Sequence, residues 1–492
     1  YFRFRRKESV PYDSVLEGIS SLNEIRADNT AQSKAYNWLN DDTVVSSPSD
    51  SFLVQRYILM VLHYSVKGEN SINVDKWGSD KNECEWIGVE CECDRSGKPC
   101  ENDARNVISI NLATSLLDGS IPNEVGYLSQ LEELDLSSND LLRKTLPSSI
   151  FTIKSIERVK LSSCTLTGVI PSSIKNASSL LELNIGSNMF TNGGVDTIEG
   201  LPSTLETLIL SNNKFSGTIP IAITSLTKLK HLDMSSNDFK GIIYTAFGEL
   251  TELEFLDLSK TKLESMLPVQ LGKLSKLTNM NFFDVFKLTG TIPTEMGDLT
   301  KLRVLNLYST GLTGSIPTTF GLLSSLEELR ISADAITGNI PTEIYGISNL
   351  QKIVITDTQL GGGLSDEMFN LKKLLELNLE NNALTGTIHP SIGNLTSLEF
   401  LSLATNKLKG PIPSEIGLLT DLTKLYLCCN DLTSTIPLEM TNLTKVEVIE
   451  IVENKLVGPV PEKICCLPYM EQFNFEIVLD CPKLFSTSSV QC

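Results

Sequence analysis

The sequence predicts an α/β solenoid: a right-handed superhelix with about 16 short parallel strands on its concave face. Three regularities carry that expectation. From about Ile108 an apolar-x-apolar core returns every 24 or 25 residues, an asparagine follows it by three positions, and a Leu-x-Gly-x-Ile-Pro segment follows the asparagine. One such repeat cannot bury its own apolar face. Stacking is therefore obligatory, and a chain of 492 residues grows by addition instead of enlarging a single core.

The core begins as Ile110/Leu112 and Leu134/Leu136, continues through Leu256/Leu258, Met280/Phe282 and Leu305/Leu307, and ends as Ile449/Ile451 and Phe473/Phe475, sixteen times in all. Its period of two buries one side of each strand and exposes the other. The asparagines are Asn139, Asn188, Asn213, Asn237, Asn382, Asn406, Asn430 and Asn454. An amide suits this place because it donates and accepts at once, closing turn groups that no ladder reaches. Cys164 stands in the same column and reads as a buried, unpaired thiol. In the outer segment, as in Leu166 to Pro171 or Leu288 to Pro293, glycine permits the bend and proline fixes an extended or turn geometry.

Repeats such as LSQLEELDLSSNDLLRKTLPSSI (128–150) and LTSLEFLSLATNKLKGPIPSEIG (395–417) resemble the plant-type leucine-rich repeat of receptor-like protein ectodomains and polygalacturonase-inhibiting proteins, L domain-like in fold. The likeness covers roughly residues 108–475. The segment CEWIGVEC (84–91), with Trp77 upstream, resembles the cap that precedes the array in that family. The resemblance implies ligand binding mostly on the inner sheet.

Four segments are expected: a polar, loosely held tail (1–30), a helical, cysteine-containing N-terminal cap (31–107), the repeat array (108–464), and a cysteine-containing C-terminal cap (465–492). AQSKAYNWL and SFLVQRYILMVLHYSV have helical apolar spacing, so two helices should shield the first strand. Cys84, Cys91, Cys93 and Cys100 precede the array, and Cys465, Cys466, Cys481 and Cys492 follow it. Two even sets read as disulfide-stapled caps in an oxidising compartment. Cys84 with Cys91 and Cys93 with Cys100 close short loops, although four cysteines allow three connectivities. The spacings do not match common zinc fingers, and no metal or cofactor is expected. Cys428 and Cys429 read either as a thiol pair or as an adjacent disulfide.

Against 41 basic residues stand 60 acidic ones, a formal charge of −19, which disfavours nucleic acid and anionic membrane surfaces. No apolar run of 18 residues appears, so no transmembrane segment is expected in this chain. A start at Tyr1 without a signal-peptide core suggests a cleaved signal or membrane anchor upstream, and Arg3, Arg5, Arg6 and Lys7 would suit the flank of such an anchor. The expected location is extracellular or at the cell surface.

From Thr261 to Thr358 the asparagine column holds Thr261, Val285 or Phe286, Thr310, Asp334 and Thr358. Local rules fail preferentially where a structure is strained or used. In these same repeats the strand-flanking positions carry Phe255, Phe283 and Tyr308, surrounded by Asp257, Asn279, Asp284, Asn306 and Arg330. An aromatic centre with a polar rim is the anatomy of an interaction site. The expected partner is a protein, peptide or polysaccharide. Three acceptor sequons, at Asn176, Asn394 and Asn442, share one place on the flank of the repeat, where sugars would leave the inner sheet open.

Two other readings compete. A structural adhesion or matrix protein would use the repeats for length alone. A glycan-acting enzyme would need paired carboxylates such as Asp233 and Asp257, about 5 Å apart on neighbouring strands, or a nucleophile beside His231. His63, His231 and His389 are the chain's three histidines, no nucleotide-binding or kinase motif appears, and catalysis is not expected.

Overall fold

The structure is a computed structural model, and it describes residues 12–42, 52–79, 81–92, 106–192, 196–469 and 472–474. The chain divides into two compact units, Tyr1–Phe239 and Lys240–Cys492.

In the first unit the helices Ala31–Asp41 and Leu53–Val66 form the expected cap. Leu53, Tyr57, Leu59 and Leu62 are fully buried. Arg56 is buried with them, its guanidinium lying 5.3 Å from the Trp38 ring and 5.1 Å from the Trp86 ring. Its Nε donates to Asp42 at 2.7 Å and its Nη1 to Glu83 at 2.8 Å. A buried cation persists only with such partners. Trp77 stacks on Trp86 at 5.6 Å, and Cys84 is disulfide-bonded to Cys91. Strand Val89–Cys91 pairs antiparallel with Val107–Asn111, covering the edge of the parallel ladder.

Residues 12–30 differ from the loose tail expected of them. Asp13–Leu16 and Leu22–Arg26 are short helices, the second with a capping box between Ser21 and Glu24. Leu16 and Ile25 are buried. Ser20 Oγ donates to Glu124 at 2.7 Å and the Tyr57 hydroxyl donates to Ser20 at 3.0 Å, tying this segment to the cap and the first outer turn.

Six parallel strands follow in the first unit: Val107–Asn111, Glu133–Asp135, Arg158–Lys160, Glu182–Asn184, Thr207–Ile209 and His231–Asp233. The second unit holds ten more, from Phe255–Asp257, Asn279–Asn281, Val304–Leu307, Glu328–Ser332 and Lys352–Thr356 to Gln472–Asn474. All sixteen fall on the apolar-x-apolar cores, and within each unit they pair without register slip, as in Leu256↔Met280↔Leu305↔Leu329. The last strand lies beyond residue 464, and that boundary cuts the short helix Glu462–Cys466.

Most outer turns are 3-10 helices that begin directly after proline, as Asn123–Tyr127 does after Pro122 and Thr294–Asp298 after Pro293, whereas Thr245–Glu249 follows Tyr244 and Asp366–Asn370 follows Ser365. Their third residues, Val125 and Met296, are fully buried. A Cβ on Gly417 would lie 2.2 Å from the carbonyl of Glu439 in the next turn, so that position accepts only glycine. In the irregular stretch after Asn188 the helix Asp196–Glu199 replaces the outer turn.

The asparagine column does what an amide allows. Asn139 Nδ2 donates to the carbonyls of Leu112 at 2.9 Å and Leu136 at 2.7 Å, while its Oδ1 accepts from the amides of Ser115 and Leu117, both at 3.0 Å. Cys164 fills the same niche, its thiol donating to the carbonyl of Leu136 at 3.0 Å. Burial pushes that thiol up to about 11. Where the column departs from asparagine, Thr261 and Thr310 donate back to Leu258 and Leu307 at 2.8 and 3.1 Å, and Val285 is buried while Phe286 is extruded. Asp334 was expected in the column but is exposed. A carboxylate has no N–H to offer the carbonyls there, and its charge resists burial.

Cys93, Cys100, Cys481 and Cys492, with the side chains of Cys465 and Cys466, lie outside what the structure describes. Among the described residues no helix is long and apolar enough to cross a membrane.

Candidate functional site

The site lies within the second unit, on the solvent side of its parallel ladder. In one column the register runs Asp257↔Asn281↔Asn306↔Arg330↔Val354. The acid or amide side chain there closes a turn: Asp257 Oδ1 accepts from the Ser259 amide at 2.8 Å, Asn281 Oδ1 from Phe283 at 3.0 Å and Asn306 Oδ1 from Tyr308 at 3.1 Å. These short turns fix where the following residue stands. In two of the three that residue is aromatic.

Phe283 and Tyr308 are accordingly neighbours, their ring centroids 6.1 Å apart and tilted by 34°. Both are half-buried. Lys260 Nζ lies 5.5 Å from the Phe283 centroid, a cation over the ring face. The Tyr308 hydroxyl lies 3.4 Å from Thr356 Oγ1, two repeats further on, so the phenol lies along the ladder. Phe283, Asn306, Tyr308 and Arg330 together line an open pocket of about 310 Å³.

Arg330 is held by acids. Its Nε donates to Glu328, and its Nη2 lies 3.6 Å from Glu376, on the far side of strand Lys352–Thr356. Lys352 Nζ approaches the same two carboxylates at 4.0 and 3.9 Å. Two cations and two anions thus form a closed network beside the pocket. The bridge from Arg330 to Glu376 passes over the strand that carries Val354, which is only 3% exposed despite facing outward. Ser332 and Thr356, placed three residues after Leu329 and Ile353 as Phe283 is after Met280, are buried as well. Both continue the backbone ladder, opposite each other.

Of the eight residues read from the sequence, the structure gathers Phe283, Asn306, Tyr308 and Arg330 around one pocket. Phe255, Asp257 and Asn279 stand on adjoining strands, and Asp257 Oδ2 accepts from Asn281 Nδ2 at 2.7 Å. Asp284 occupies the left-handed turn position, φ 61°, beside the rings. Sequence reasoning missed Lys260, Glu328, Lys352, Glu376 and Thr356. Lys352, Glu376 and Glu328 stood in a strand-flanking column, but their pairing across repeats left no local trace. Lys260 stood at a turn position that Ser138, Ser187 and Ser236 hold elsewhere, and its length was the available signal.

Elsewhere, Asn176, Asn394 and Asn442 are exposed, each the last residue of its outer 3-10 helix. Cys428 and Cys429 are free thiols, and burial pushes Cys428 up to about 12. His63 is buried in the cap, and His389 caps the helix Pro390–Asn394 by accepting from the Ser391 amide at 3.2 Å. Among the described residues no cluster of His, Cys, Asp and Glu is suited to a metal ion.

Models of the leucine-rich repeat match residues 203–263 and, separately, 130–153, 301–323 and 373–395. Phytosulfokine receptor 1 of Arabidopsis thaliana is 29% identical over 108 residues, which are 22% of this chain and 10% of the receptor. The match thus spans about a tenth of that relative. Among solved structures, the plant peptide hormone receptor RGFR1 in complex with RGF2 superposes with a TM-score of 0.65 at 28% identity, covering 73% of this chain and 64% of that one. A TDR receptor superposes with a TM-score of 0.67 at 28% identity, covering 78% of this chain and 71% of that one.

Proposed function

We propose that this chain, a leucine-rich-repeat protein of the plant type, is a non-catalytic recognition module. It binds a protein or peptide on the strand face between Phe255 and Arg330, outside the cell or at its surface. One observation carries the reading: Phe283 and Tyr308 stand half-exposed around an open pocket on the strand face, beside the ion network of Arg330, Lys352, Glu328 and Glu376. Exposed aromatic area on a water-facing strand is stabilised when a partner covers it. A solved neighbour is a receptor holding a peptide hormone, which favours peptide over polysaccharide. The Cys84–Cys91 disulfide suits an oxidising compartment, and exposed sequons on the outer helices suit passage through a secretory pathway. A glycan on at least one of Asn176, Asn394 and Asn442 is the expected mass-spectrometric finding in native material.

The direct test is affinity capture from the organism's own extracellular fluid, with the native chain and the Phe283→Ala/Tyr308→Ala/Arg330→Ala variant side by side. A species retained by the first and lost from the second is expected. Equal retention would favour a structural spacer.

A further inference from the structure

Cys428 and Cys429 stand side by side at the end of strand Lys424–Tyr426, both free and both half-buried. Cys428 follows Tyr426 by two residues, and Cys429 takes the left-handed turn position after it, φ 57°. The Cys429 thiol meets three side chains. The Glu453 carboxylate favours its protonated form, whereas Cys428 and Thr405, which carry an S–H and an O–H to donate, favour the thiolate. Burial and then Glu453 prevail, so the free thiol is pushed up. Glu450 and Glu380 act in the same sense on Cys428, and the strand that leads to the pair carries one cation, Lys424.

The backbone of the pair is fixed. The Cys428 carbonyl accepts from the Thr405 amide at 3.0 Å and from Asn430 Nδ2 at 3.1 Å, while the Cys429 amide donates to the Val452 carbonyl at 3.0 Å. Neighbouring Cα atoms across a trans peptide are about 3.8 Å apart, closer than the roughly 4.4 Å at which unstrained disulfides begin. Joining the two sulfurs to each other would therefore have to break contacts to the repeats on both sides. A sulfur from outside meets no such obstacle.

We infer that Cys429 is a covalent capture site for a small amine-bearing disulfide. Its thiolate attacks one sulfur of RS–SR, the Cys429–S–S–R bond forms as the old S–S bond breaks, and the departing RS⁻ takes up the proton that the thiol lost, so no external oxidant is needed. Positive charge is the selecting property. An ammonium group is attracted to the three carboxylates, and beside Glu453 it offsets the charge that disfavours the thiolate, so recruitment and activation share one cause. Cys428 supports the thiolate as a donor and does not resolve the adduct. The inference goes beyond the recognition reading and does not depend on a partner at Phe283 and Tyr308.

The test compares cystamine with oxidised glutathione, a disulfide of negative charge, on the full chain at neutral pH and low ionic strength. Rates are normalised to those with 2-mercaptoethanol, and the adduct is located by peptide mapping. Cystamine should modify Cys429 about tenfold or more faster than oxidised glutathione, and the ratio should fall as salt is raised. Cys429→Ser should abolish the adduct at this place, whereas Cys428→Ser should keep it. Glu453→Gln should speed the reaction with oxidised glutathione and narrow the ratio; should that variant fold poorly, the salt dependence of the native chain reads the same charge effect. Equal normalised rates for the two disulfides overturn the selection by charge. An adduct on Cys428 that survives Cys429→Ser overturns the assignment of the nucleophile. An internal Cys428–Cys429 disulfide in place of the adduct, or no reaction at either thiol, overturns the capture site.

Discussion

The repeats around Asn139, Asn188 and Asn237 and those between Thr261 and Thr358 build the same strand with different closures. In the first group a buried amide closes carbonyls of two successive repeats, as Asn237 does for Leu210 at 2.9 Å and Met234 at 3.2 Å. The chain then leaves the ladder through a left-handed residue such as Ser236, φ 51°. In the second group threonine supplies one hydroxyl and aspartate is expelled. In two of these repeats the ladder itself is longer: Glu328–Ser332 and Lys352–Thr356 are five residues long where Glu133–Asp135 has three, while Lys260, Asp284, Ser309 and Asp357 keep the left-handed turn residue. Ala333, at the place of Ser236, takes no left-handed φ. Side-chain closure and ladder closure are thus interchangeable for the fold. They are not interchangeable for the surface, because the altered repeats are those whose strand ends carry Tyr308 and the ion network around Arg330.

If closure by amide is the stronger device, removing it should cost most. Asn139→Ala leaves two amides and two carbonyls without their partner in a fully buried site, and should lower stability by about 4 kcal/mol. Thr310→Ala removes one bond to Leu307 and should cost about 1 kcal/mol. Equal shifts in urea midpoint for the two variants would break the comparison.

Cys164 sharpens it, as a thiol standing in the amide column. Burial raises it to about 11 from an ordinary value near 9.0. Because the folded value lies above the unfolded one, the neutral thiol's stabilisation is complete below pH 9 and is lost as pH climbs through 11, by about 3 kcal/mol. Cys164→Asn does not titrate, so its urea midpoint should rise relative to the native chain between pH 8 and 11. A constant difference would mean that the thiol is already hydrated.

The array was legible because one pattern is written sixteen times, and each copy limits the register of the next. The asparagine column and the Cys164 substitution followed from what an amide can donate and accept. The helices at Asp13–Leu16 and Leu22–Arg26 were not legible, since a few apolar residues hold them and their partners, Glu124 and Tyr57, are distant in sequence. The site was legible as a list of strand-flanking residues. It was not legible as an arrangement: the reach of Arg330 to Glu376 over Val354, and of Lys260 over Phe283, depends on side chains crossing between repeats.

A small stability effect is expected at the site itself. Phe283→Ala removes a half-exposed ring and should cost about 1 kcal/mol, whereas the fully buried neighbour Phe282→Ala should cost about 4. Comparable costs would place Phe283 in the core.

The central claim is that the strand face beside Tyr308, and not the outer helices, meets the partner. A photo-crosslinking residue placed at Tyr308, and in a separate chain at Leu438, 64% exposed on an outer 3-10 helix, tests it in the organism's own extracellular fluid. The account predicts a discrete adduct from position 308 and none from position 438. Adducts of equal yield from both positions, or from 438 alone, would contradict it.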